Sequence, residues 1–275
     1  MLAIKNNIIA DNAQRLLGVN YDALGKSVQR LSSGLRINSA ADDAAGLAVR
    51  ELLRADVRVL RQAARNAQDA ISMIQTGEQA LQVVDNLLIR MKELAEQAAT
   101  GSYTTTQRTV MNDEFGRMRD EITRIATSTT FNGVEMLNSA SGSLSIHIGT
   151  GNVANVDKVD VTLANTTATG LGVNALDIST QIAAATALVT LSTAIQTKDD
   201  ARATFGAMIN RFEATVNVIN VQAENLATAE SRISDVDVAS EMSILTRNQV
   251  MAQAGIAMLA QANALPSLAL TLLRG

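Results

Sequence analysis

His147 is the one imidazole in a chain of 275 residues, and it stands between Leu144, Ile146 and Ile148 where apolar and polar residues alternate as in a strand. With no cysteine and no second histidine to join it, zinc binding and histidine-based acid–base chemistry lack support, and the residue reads as a solvent-facing strand position. Three acid pairs, Asp42 with Asp43, Asp199 with Asp200 and Asp235 with Asp237, have the residue types of a carboxylate dyad. Each adjoins an expected helix end, where a negative charge opposes the dipole, so capping is the role assigned to them. No glycine-rich phosphate loop follows a strand pattern. No cofactor, metal or catalytic residue is expected, and no convergent nucleophile or acid–base site points to an enzyme. The ten methionines fall mostly in helical stretches, where they fill seams.

Helices dominate the pattern that surrounds these residues. Leu53, Leu60, Ala67, Ile74, Leu81, Leu88 and Ala95 recur every seven positions, with Val57, Ala64 and Ile71 interleaved at the offset that completes a seam. The C-terminal half repeats the pattern in Phe205, Ile209, Phe212, Val216, Ile219, Ala223, Leu226 and Ile233, then in Val238, Met242, Leu245, Ala252, Ile256 and Leu259. Four Phe, two Tyr and no Trp are too few aromatics to fill one compact globule, whereas a narrow seam needs only Leu, Ile, Val and Ala. The single proline, Pro266, leaves the rest of the chain free to run as helix. A net charge of -4 with mixed signs gives no basic stripe for nucleic acid. The apolar tail from Val250 to Leu273 is interrupted by Gln253, Gln261, Asn263 and Pro266, so it reads as a packed helix and not as a membrane span. The start of the chain lacks the cationic and apolar run of a secretory signal, which by itself would place the protein in the cytoplasm.

The expected fold class is mainly α, a long antiparallel helical bundle or coiled-coil rod with a small β-hairpin. Helical spacing covers about Ile4 to Leu35, with Leu17, Tyr21, Leu24, Val28, Leu31 and Leu35 on one face. Ser39 with Asp42 has the spacing of a capping box and opens a helix running to about Ala99; Thr104 with Gln107 caps a shorter one ending near Thr129. Asn132-Gly133 supplies a turn. Leu144, Ile146 and Ile148, then Val159, Val161 and Leu163, form a hairpin whose apolar face must lie on the helices, because two strands alone are marginal in water. After a Thr/Gly-rich passage to Gly172, helix resumes near Ser179, with a recap expected at Thr197 and Asp200, and continues toward Ala229.

The run from Arg30 to Ala48, RLSSGLRINSAADDAAGLA, resembles the N-terminal signature of bacterial flagellins. Arg65-Asn66-Ala67-Gln68-Asp69 with Ile71-Ser72, the stretch Thr130-Phe131-Asn132-Gly133-Val134, and the end from Gln253-Ala254-Gly255 through Leu259-Ala260-Gln261-Ala262-Asn263 to Leu272-Leu273-Arg274 resemble the same family. The resemblance implies residues 1–40 and 236–275 as the two halves of an inner filament-core domain, and 41–235 as a helical rod domain with its hairpin at about 140–165. The variable outer domains of longer flagellins are absent, since the stretch from Asn138 to Ser179 is too short to hold them. It implies a subunit that polymerises with itself through its terminal helices, with Leu24, Val28, Leu31, Leu35, Met242, Leu245, Ile256 and Leu259 packing the core. An extracellular location follows, reached without a cleaved signal peptide, with an export chaperone and a filament cap as partners and neither membrane nor nucleic acid.

The helix stretch from Leu88 to Gln97 is similar to the part of stimulatory flagellins that a host Toll-like receptor contacts. Arg90 and Leu94 match contact positions there and Glu114 matches a third, an arginine fan beside an apolar anchor. The same two residues also read as a solvated helix position and a member of the seam. Two other families of similar shape compare less well. Hook-filament junction proteins carry a proline after the paired acids, where this chain has Ala44, and chemoreceptor signalling rods lack a mid-chain hairpin.

Overall fold

A computed structural model describes residues 6–138 and 142–274, with side chains to 265. The expected helix start at Ile4, the first two residues of the 140–165 hairpin segment, and the side chains of the Leu272-Leu273-Arg274 end lie outside the described residues. In chain order the elements are α1 (Ile8–Ser33), α2 (Ala44–Ala99), α3 (Thr105–Ser128), β1 (Thr130–Phe131), β2 (Val134–Glu135), β3 (Ser143–His147), β4 (Lys158–Thr162), α4 (Gln181–Ser234) and α5 (Val238–Arg274). The fold is mainly α with two small antiparallel strand pairs. It divides into two compact units, one of residues 56–224 and one joining 1–55 to 225–275.

The unit of residues 56–224 has a large apolar core. The α2 seam is buried from Leu60 through Ala67, Ile74, Leu81 and Leu88 to Ala95, as its heptad spacing predicts. Against the upper part of α2 lie Phe115, Ile122 and Ile125 of α3 and Ala184, Ala187, Leu191 and Ala194 of α4. The Thr/Gly-rich passage to Gly172 and the residues between it and α4 add Ala168, Leu171, Val173 and Ile178 to that core. This segment is held there by its own backbone, for Leu171 N–H donates to Thr167 O and Val173 N–H to Ala168 O, and by Asn112 Oδ1, which accepts from Ile178 N–H at 3.0 Å. Its composition hides a compact turn that buries Ala168, Leu171, Val173 and Ile178.

Helix ends follow local chemistry. At α3, Thr104 and Gln107 form the expected capping box, and buried Arg108 donates back to Ala98 O and Thr100 O, covering free carbonyls at the end of α2. At α2 the expected cap, Ser39, lies outside the helix, and the cap falls four residues further on. Asp42 accepts from the N–H groups of Asn38 and Ser39 and from the Ser39 hydroxyl, closing a turn outside the helix, while Asp43 Oδ1 accepts from Gly46 N–H at 2.9 Å and is the true cap. The expected recap at Thr197 and Asp200 does not form, because α4 runs unbroken and Thr197 Oγ1 donates to Thr193 O inside it. Asp199 therefore ends no helix; it pairs with Lys198 Nζ at 2.6 Å.

Asn132 and Gly133 both take positive φ, 49° and 81°, the pair a two-residue hairpin turn requires, and they join β1 to β2, strands the pattern alone did not predict. The second pair has the expected alternation, with Leu144 opposite Val161 and Ile146 opposite Val159, and Val159 and Val161 buried. His147 faces out, as expected. In the turn between β3 and β4, Asp157 accepts from Gly151 and Val153 N–H, and these bonds, that of Val153 foremost, hold its carboxyl below the usual carboxylate range.

Candidate interaction surface on the terminal helices

Helix α1 packs on α5 antiparallel, with Asn7 Nδ2 donating to Ala262 O at 2.8 Å at one end and Arg30 Nη1 lying 3.7 Å from the buried Glu241 carboxylate at the other. Between them Gly255 faces Leu17. A Cβ at Gly255 would meet Leu17 Cδ1 at 3.1 Å, so the missing side chain lets the helices close up. The covered stripe of α1 is Ala10, Ala13, Leu17, Asn20, Leu24, Ser27 and Leu31; that of α5 is Glu241, Leu245, Asn248, Ala252, Gly255, Leu259 and Ala262. Both follow three-four spacing and both are rich in small or polar residues.

Many of the larger apolar side chains lie outside these stripes. Ile8, Ile9, Leu16, Val19 and Val28 are exposed on α1, and Val238, Met242, Ile244, Val250, Met251, Ile256 and Met258 on α5. Of the eight expected core-packing residues, Leu24, Leu31, Leu35, Leu245 and Leu259 are half-buried within the chain, whereas Val28, Met242 and Ile256 face solvent. The C-terminal seam read from spacing thus merges two stripes, one covered by α1 and one open. The exposed positions of α5 point to several sides of the helix, and such a helix requires more than one neighbour.

Where α1 and α4 end, the backbone is stapled. Arg36 N–H donates to Ser234 O at 2.6 Å and Val236 N–H to Gly34 O at 3.0 Å, making an antiparallel bridge of Leu35 with Asp235, and Arg36 Nη2 adds a bond to Ile233 O. Asp237 restarts the helix by accepting from Ala239 and Ser240 N–H, the capping role expected for that acid.

The three residues expected to meet a receptor are not equivalent. Arg90 is exposed and bonds Glu93 at 3.0 Å and Glu114 at 3.1 Å, neighbours that raise its pKa further, the hydrogen bond to Glu93 foremost. Leu94 does not join them at the surface. It is 2% exposed in the α2–α3–α4 core, because the heptad phase that buries Leu88, Met91 and Ala95 carries it inward too.

Apolar spacing does not single out Lys198. It is 1% exposed and sits seven residues from both Leu191 and Phe205, with Nζ 2.5 Å from Asp85 Oδ1 across on α2. A charge at a seam position was the available signal. An open cavity of about 520 Å³ beside the 148–157 turn is lined by Leu60, Ile148, Val156, Asp157, Arg211 and Val218 among others, with no nucleophile and base converging on it. Among the described residues no cluster of His, Asp or Glu could hold a metal, and no helix is long and apolar enough to cross a membrane.

A terminal helix pair with more apolar surface than it covers defines a subunit of an assembly. The family model described as the bacterial flagellin N-terminal helical region matches residues 4–141, and that of the bacterial flagellin C-terminal helical region matches 188–273. The chain is 41% identical to the flagellin of Halalkalibacterium halodurans, across 99% of this chain and 100% of that one. It is 42% identical to a flagellar filament 33 kDa core protein of Treponema phagedenis, with the same coverage. The crystal structure of Bacillus cereus flagellin aligns with a TM-score of 0.51 at 34% identity, covering 60% of this chain and 94% of that one. The chain belongs to the bacterial flagellin family, and is a structural subunit of the extracellular flagellar filament that serves motility.

Proposed function

We propose that polymerisation runs through the terminal helices, with residues 1–40 and 236–275 as the filament core and 41–235 as the layer around it. The observation that carries this reading is the open apolar surface of α5, whose exposed Met242, Ile256 and Met258 have no cover from α1. Each Leu or Ile buried is worth roughly 1.5–3 kcal/mol, against about 1–2 kcal/mol of backbone entropy for each residue ordered. One seam does not offset that cost over a whole helix, so neighbouring copies must supply further surface, and assembly is coupled to ordering of the ends. The same open faces need cover before assembly, which suits an export chaperone, delivery of the chain unfolded through the growing filament, and a cap at its tip.

Deleting the chain from Ser240 onward tests the reading. The truncated protein should stay soluble and helical, and electron microscopy of concentrated samples should show no filaments. Filaments as long as those of the full chain would remove α5 from the core.

For a host Toll-like receptor, the exposed Arg90–Glu93–Glu114 group is the surface on offer. Arg90→Ala should lower the potency of the free subunit in a receptor reporter assay by at least about tenfold. Leu94→Ala should act by loosening the core, visible as a lowered melting temperature.

A further inference from the structure

Among the described residues the methionines divide sharply by region. Met73, Met91 and Met136 are buried and Met111, Met118 and Met208 half-buried, whereas Met242, Met251 and Met258 are 47%, 45% and 62% exposed. The three exposed ones all lie on α5. Met251 and Met258 are seven residues apart and share one side of the helix, while Met242 lies on the other flank of the α1-facing stripe. Each is apolar surface that the free subunit leaves in water.

We propose that Met242, Met251 and Met258 form an oxidation-sensitive modification site that controls entry of the subunit into the filament, with peroxides as the reacting class. The sulfur lone pair of a thioether attacks one peroxide oxygen, a new S–O bond forms and the O–O bond breaks. The departing hydroxide takes the proton of the new S–OH group and leaves as water. Sulfur is oxidised to the sulfoxide and the peroxide is reduced, so the step balances with no further reagent. The product carries a polar, chiral S–O group where an apolar side chain stood. Burying that group without a hydrogen-bond partner opposes assembly, and two of the three positions share the side they would block. Buried Met73, Met91 and Met136 are shielded, so mild oxidation leaves the 56–224 core intact while it disables the terminal surface. Incorporation into the filament protects the same sulfurs. The inference rests on the reading that neighbouring copies cover the outer faces of α5.

Free subunit and preformed filament are exposed to hydrogen peroxide, and oxygen gain at each methionine is followed by mass spectrometry of peptides. In the subunit, Met242, Met251 and Met258 should oxidise at least about tenfold faster than Met73, Met91 and Met136, and in the filament they should slow to the buried rates. Oxidised subunit should show a critical concentration raised at least about tenfold, and methionine sulfoxide reductases should restore it. The variant with Met242→Leu, Met251→Leu and Met258→Leu keeps volume and apolarity and should polymerise after peroxide treatment as before it. Two results would overturn the inference while leaving α5 in the core: shielded sulfurs whose prior oxidation does not slow assembly, or inhibition that reductase treatment does not reverse. Sulfurs that oxidise equally fast in filament and subunit would overturn the coverage of α5 itself.

Discussion

The α1–α5 pair and the 56–224 unit are both helical and both seamed at three-four spacing, yet they invest their apolar residues in opposite ways. In the larger unit Phe115, Phe205, Phe212, Ile74, Leu81 and Leu88 are sealed inside. In the terminal pair the sealed positions are Ala10, Ser27, Glu241, Ala252 and Ala262, the seam leucines are only half-buried, and many of the other bulky side chains are exposed. Apolar content therefore says little about self-sufficiency. What separates the two regions is whether large side chains meet a partner from the same chain.

Breaking the sealed region should have the largest effect. Phe205→Ala leaves a hole beside α2 and should cost the free subunit about 3–5 kcal/mol in denaturant unfolding. Removing Asp85 attacks the same region through charge. Asp85→Ala leaves Lys198 with Asp199 alone and should cost about 3 kcal/mol, and adding Lys198→Met should recover most of that loss. If the double variant is no more stable than Asp85→Ala, the ion pair is not what limits the site. Leu259→Ala sharpens the contrast with the open region: half-buried in the single chain, it should cost the free subunit about 1 kcal/mol or less. Once neighbours complete its burial the cost should approach about 2–5 kcal/mol per subunit, read as a raised critical concentration. Equal effects on both quantities would mean that assembly adds no cover at that position.

The smallest effect is local and depends on pH. The Asp157 carboxyl titrates low because Val153 and Gly151 N–H groups bond its charged form. A depressed folded pKa contributes stability that is complete above the ordinary carboxylate value of about 3.9 and is lost as pH falls through the folded value. The Gly151 and Val153 amide NMR signals should therefore move together below about pH 4, and Asp157→Asn should abolish that transition. A transition at the value of a free aspartate would show that the turn does not bind the charge.

Much of this contrast was legible in residue spacing. The α2 seam, the Thr104–Gln107 box and the β3–β4 pairing follow from period and side-chain type, because each is settled by neighbours within a few positions. Other features depend on contacts far along the chain or on competition between adjacent groups. Thr197 reads as a cap, but a threonine inside a helix can donate to the carbonyl four residues back, and the seam through Leu191, Lys198 and Phe205 keeps the helix whole. Asp42 and Asp43 are equally good caps on paper, and the turn at Ser39 engages the first and leaves the helix to the second. For Leu94 the seam reading holds, as its phase one turn on from Met91 and two from Leu88 requires. On α5 spacing fails for a different reason. Apolar residues on several sides support more than one seam, and only the position of α1 decides which of them is inside the chain.

The bond from Asn7 to Ala262 spans 255 residues of sequence, and the bridge of Leu35 with Asp235 ties the same two ends. Whichever end of the chain emerges first, from a ribosome or an export channel, it must wait for the other before either bond can form. Residues 56–224 carry no such delay, since their partners are all present before the last segment arrives. Ordering in time is thus written into the connectivity: the core of the subunit matures first, and its sticky ends stay unpaired until the final residues are free.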